Sequence, residues 1–121
     1  ATATLVGAWE LRAGSHSTTE WLDGAADTSY PGGGPGTFSA VNSDGANGYD
    51  PAPKLALINV TGGEDGETII LSGGASAILS VMCTDAGTAA VSVGASFTGL
   101  TATLQYLSGS SNVTTVMVLY N

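Results

Sequence analysis

Positive charge is nearly missing from this chain. Against ten acidic residues it holds only Arg12 and Lys54, for a formal net charge of -8. Binding nucleic acid means neutralising phosphates with several clustered Lys or Arg side chains, so nucleic acid is not an expected partner. Anionic membranes are disfavoured on the same ground. Histidine and cysteine are as scarce, each occurring once, as His16 and Cys83. A lone cysteine makes no intramolecular disulfide. With a single His in a polar loop and a Cys in an apolar run, no zinc tetrad and no Cys–His dyad are expected. Cys83 sits in an apolar run with Ile78, Leu79, Val81 and Met82, and a buried, inert thiol is expected there.

Other shortages narrow the reading further. No apolar stretch approaches the ~20 residues of a membrane helix. No basic segment followed by an apolar one opens the sequence, so no retained signal peptide is expected. Only 10% of residues are charged, against about 25% in ordinary soluble domains. The surface is therefore either dressed in Ser, Thr, Gly and Asn or partly covered by neighbours.

What remains is β texture. With 121 residues the chain is expected to form one domain with a real core. Residues 54–121 alternate short β-branched runs with Gly/Asp/Ser/Asn breaks, placing strands at 54–60, 67–71, 76–83, 88–97, 101–107 and 113–120. Within 88–97, Val91, Val93, Ala95 and Phe97 fall on one face, and Ser92, Gly94 and Ser96 on the other. Such period-two alternation marks a half-buried strand. The run 113–120 differs. Val116, Val118 and Tyr120 share one face, while Met117 and Leu119 give the other an apolar cast as well. A strand apolar on both faces is either central or covered from outside its own sheet.

Residues 1–53 read as a loop-rich N-terminal arm with connections. A strand at 3–12 and another at 37–41 are expected, with a turn or two of helix at 19–26 as the only helical candidate. The stretch Pro31, Gly32, Gly33, Gly34, Pro35, Gly36 admits no helix or central strand. In total, an all-β fold of about eight strands is expected, an antiparallel sandwich or a jelly-roll-like relative.

Catalytic patterns are absent from this sequence. No Gly-x-Ser-x-Gly elbow frames a serine. The cluster Glu64, Asp65, Gly66, Glu67 reads as a solvated hairpin turn rather than a catalytic carboxylate pair. No cofactor is expected and no enzyme. Asn42, Asp44, Asn47 and Asp50 place four oxygen-bearing side chains in one loop, a hard-cation set that suits calcium and equally suits plain turn chemistry. Asn59 and Asn112 head glycosylation-type triplets, both in or beside expected strands. Trp9 and Trp21 lie in the first 30 residues. As residues that dominate interfaces they make that segment a candidate docking arm. The expected interface set is Trp9, Trp21, Val116, Met117, Val118, Leu119 and Tyr120.

In overall texture the chain resembles the small β-rich decoration or cement proteins that stud tailed-bacteriophage heads. The likeness rests on Ala/Gly/Thr/Ser-rich strands, a long irregular N-terminal segment with both tryptophans, low charge and an acidic balance. It implies a structural virion protein on the shell surface, with the major capsid protein and copies of itself, as a trimer, for partners. The competing readings are a carbohydrate-binding or adhesin-type extracellular module, with calcium at Asn42–Asp50 residues, and a filament subunit.

Overall fold

The computed structural model describes residues 1–10, 22–26, 35–40, 53–72 and 75–121. Among them are nine strands and no helix. They are β1 Thr2–Glu10, β2 Leu22–Ala26, β3 Pro35–Ala40, β4 Lys54–Thr61, β5 Thr68–Ser72, β6 Ile78–Ala86, β7 Val93–Thr98, β8 Thr101–Tyr106 and β9 Val113–Tyr120. A four-stranded sheet in the order β1-β4-β9-β6 faces a five-stranded sheet in the order β2-β3-β5-β8-β7. The fold is a β-sandwich.

Nested pairing organises it. β4 pairs antiparallel with β9, and β5 with β8, in the other sheet. One nested pair thus lies in each layer of the sandwich. Beside these pairs β6 hangs on β9 and β7 on β8. β6 lies beside β7 and β1 beside β2, so each open edge of one sheet is flanked by the other, which guards against edge-to-edge pairing.

Alternation in the sequence decides what goes inside. Along β4, Ala56, Ile58 and Val60 are fully buried and the residues between them are not. β9 matches it pair for pair, Ala56 opposite Val118 and Ile58 opposite Val116. The five-stranded sheet answers with Phe38, Ile69, Leu71, Ala102 and Leu104. Burying such side chains stabilises by roughly 1.5–3 kcal/mol each. Cys83 is half-buried against this cluster, and loss of hydration pushes its thiol up to about 11, which keeps it inert. The hydroxyl of Tyr120 is buried and has no hydrogen-bond partner among the described residues.

Several expectations need correction. The segment 22–26 is a strand, not a turn of helix, and pairs with β3 from Leu22–Ala40 to Ala26–Gly36. The sheet is not wholly antiparallel, because β3 runs parallel to β5. The connection between them passes through β4 in the opposite sheet, the long crossover that parallel neighbours require. β7 begins only at Val93, since Gly87–Ala90 turn away from the sheet. Residues 2–10 are no free arm. They pair with β4 along their length, across one register shift, and bury Ala3 and Ala8 in the chain's own core.

The face assignment is open to direct measurement. Ile58→Ala should lower unfolding free energy by about 2–5 kcal/mol through lost burial and a cavity. Leu57→Ala, one residue along on the opposite face, should lower it by less than half as much. Urea unfolding of both variants checks this, and equal losses would place Leu57 in a core as well.

Candidate docking face

The sandwich has two outer faces, and they are dressed differently. On the five-stranded sheet the outward residues include Thr37, Thr68, Thr101, Thr103, Ser96 and Gln105, and Gln105 Nε2 donates to Ser96 Oγ at 3.4 Å. Hydroxyls and an amide suit a wet surface. The four-stranded sheet presents something else. Strand registers set Trp9 beside Leu55 and Leu55 beside Leu119, and set Gly7, Leu57, Met117 and Met82 in the next row. These two rows carry no charge. Apart from Ser80, opposite Leu119, polarity returns only further along the strands, at Asn59, Thr115 and Thr84, then Thr2 and Thr61.

Local features shape this patch. The Trp9 indole folds back along β1 over Gly7, where an added Cβ would stand 2.8 Å from the ring. Glycine there lets the indole lie down on the sheet instead of standing out from it. A register shift between Leu5 and Gly7 brings Val6 to the surface, and another between Ile78 and Ser80 does the same for Leu79. Met82 is 58% exposed. Large apolar side chains grouped on one face mark an interaction surface more often than scattered ones do.

The structure divides the expected interface set. Trp9, Met117 and Leu119 lie on this face. Val116, Val118 and Tyr120 do not. They are 0% exposed, pointing between the sheets, so they build the core and are not available to a partner. β9 is an inner strand of its sheet, which accounts for its buried face and leaves the other face open. Sequence reading missed Leu55, Leu57 and Met82. The signal was present in β4, where Leu55 and Leu57 alternate with buried Ala56 and Ile58, the same two-faced pattern as β9. Trp21, His16 and the calcium set Asn42, Asp44, Asn47 and Asp50 lie outside the described residues.

A second polar feature sits at the end of the sandwich. Asp85, at the inner side of β6, accepts hydrogen bonds from Ser110 Oγ at 2.6 Å and Thr114 Oγ1 at 3.2 Å. Its other oxygen accepts from Val91 N–H at 2.9 Å and Asn112 Nδ2 at 3.0 Å. Asn112 also donates to Ala89 O at 3.0 Å, and Tyr106 donates its phenol to Thr114 Oγ1 at 2.7 Å. One carboxylate thereby ties the two connecting segments 87–92 and 107–112 to β9. The Ser110 hydroxyl, then Asn112 and the Val91 amide, hold the carboxyl down at about 2. With four donors aimed at this one anion, the cluster is a tether between segments. It also explains the Asn112 triplet: the amide is engaged and Thr114 is fully buried, so neither is presented as a glycosylation acceptor would be.

The tether has a defined acid dependence. A carboxyl held below its ordinary value of 3.8 contributes stability that is complete above that value and is lost as pH falls towards 2. Asp85→Asn should therefore flatten the decline in melting temperature between pH 4 and pH 2. Thermal melts of both proteins across that range check it, and parallel curves would count against the tether.

No family model matches the sequence, and neither curated proteins nor solved structures give a match, so this face and this tether stand on their own geometry.

Proposed function

We propose that this chain is a structural, non-catalytic subunit of a virion, a decoration or cement protein that seats the outer face of β1-β4-β9-β6 on the coat-protein shell and reinforces it. The observation that carries the reading is the inequality of the two outer faces. One is hydroxyl-rich and suits water. The other is uncharged and apolar around Trp9, Leu55, Leu57, Met82, Met117 and Leu119. A low overall charge and the scarcity of bases in the sequence fit a protein whose partner is another protein surface.

Size gives a reason for the assembly state. Four strands about 4.8 Å apart, each about eight residues long, make a face of roughly 500 Å². Standard interfaces bury about 800 Å² per partner, so one such face holds only loosely. Several faces on one homo-oligomer hold much better, because each later contact is intramolecular. We therefore place the subunit on the shell as a homo-oligomer, a trimer being the form that the resemblance implies. Calcium is not needed for this reading.

Binding to isolated, undecorated heads tests it. The protein should co-sediment with heads, whereas Met82→Glu and Leu119→Glu should melt within a few degrees of the parent and bind at least tenfold more weakly, about 1.4 kcal/mol. Binding of parent and variants alike would remove the face from the proposal. Calcium-dependent retention on a glycan array, with no affinity for heads, would favour the carbohydrate-binding module instead.

A further inference from the structure

The crossing from β4 to β5, residues 62–67, carries an acid that the docking reading does not use. Its composition looks like that of a turn in water, and Glu64 and Asp65 are indeed exposed. Glu67 is not. It is 1% exposed, and among the described residues its Oε2 has no hydrogen-bond partner. Counting back from Leu71 and Ile69, both buried, Glu67 falls on the same inward face of the strand. The chain thus brings a carboxyl into the sandwich at the point where it changes sheets.

That crossing is sewn down from several sides. Gly66 N–H donates to Leu104 O at 2.9 Å, and Leu104 N–H returns to Glu67 O at 2.7 Å. Asp65 Oδ1 accepts from Tyr106 N–H at 3.0 Å. Ser110 N–H donates to Gly63 O at 2.9 Å. Gly63 has no room for a side chain, since a Cβ would run into the Tyr106 hydroxyl. The crossing, β8 and the segment leading to β9 therefore move as one piece or open as one piece.

Among the described residues, the charged and titratable groups around Glu67 are few. Glu64 lies on the crossing itself, the amino group of Ala1 comes from the start of β1, and Tyr106 stands within electrostatic reach on β8. Burial raises the Glu67 carboxyl above its ordinary value of 4.5. The Glu64 backbone and then the Ala1 amino group act against that rise, and the Glu64 carboxylate adds to it. A neutral carboxyl fits the interior, whereas a carboxylate with an unbonded oxygen strongly disfavours it.

We propose that Glu67 is a proton-operated catch on the 62–67 crossing. Protonated, it stays between the sheets and the crossing remains sewn to β8 and to Ser110. Ionised, it leaves for water and takes the crossing with it, opening that end of the sandwich while the β4–β9 core stays paired. This inference is independent of what the outer face docks against.

The direction with pH follows from linkage. Below pH 4.5 the open and closed forms both hold the proton and the catch is fully set. As pH rises the open form loses its proton first, so the closed form weakens until its own carboxyl also ionises. Hydrogen exchange of the Gly66, Glu67, Leu104, Tyr106 and Ser110 amides reads this directly. After correction for the intrinsic pH dependence of exchange, their opening should rise between pH 4 and pH 8. The rise should be roughly tenfold for each unit separating the two forms. Amides of β4 and β9 should show no such rise, and Glu67→Gln should abolish it. Carbon-13 titration of the parent provides a check that needs no variant, with the Glu67 carboxyl expected to titrate above its ordinary value of 4.5. Opening that ignores pH, an unchanged rise in Glu67→Gln, or a Glu67 carboxyl that titrates at or below its ordinary value would each overturn the proposal.

Discussion

The pairing of β4 with β9 is the constraint on which the rest of this molecule depends. It runs from Lys54 opposite Tyr120 to Thr61 opposite Val113 without a register shift. The two strands supply Ala56, Ile58, Val60, Val116, Val118 and Tyr120 to the core. Both are inner strands. β1 and β6 add to them from outside, each with a bulge, and the other sheet closes over their inner face. The strands that meet are far apart in sequence, so the core forms only after a long loop has closed, an arrangement that slows folding.

The same pairing creates the outer face. A strand flanked on both sides shields much of each side chain along its edges, so Leu55, Leu57, Met117 and Leu119 stay half-buried even where nothing lies above them. That lowers the cost of leaving an apolar face toward solvent. Edge strands have no such shielding, and there Met82 and Val6 stand out. The most exposed apolar side chains therefore flank a flatter apolar floor, with the Trp9 indole laid along one side.

Much of the fold was legible because period two is written plainly in residues 54–121. β9 was read to the residue, and β4 and β8 to within one. β2 was not legible. Leu22–Ala26 reads LDGAA, with no β-branched residue, and only its partner β3 makes it a strand. The parallel β3–β5 pair was hidden for a related reason, since sheet neighbours across a crossover leave no local trace. At the candidate site, the sequence showed that β9 is apolar on both faces. It did not say which face was inside, because Val and Tyr against Met and Leu differ little in hydrophobic weight. Glu67 was misread as solvated along with its neighbours Glu64 and Asp65. Its period-two relation to Ile69 and Leu71 was the contrary signal, outweighed by turn composition.

Laying the indole of Trp9 over Gly7 has an optical consequence. An indole that is half in water emits at longer wavelength than one enclosed by apolar side chains, and here that indole belongs to the outer face itself. Its emission will report how wet the face is, without any label. With Trp21 replaced by Phe to leave a single emitter, the colour of the protein's fluorescence becomes a continuous gauge of whether that sheet is bare or covered.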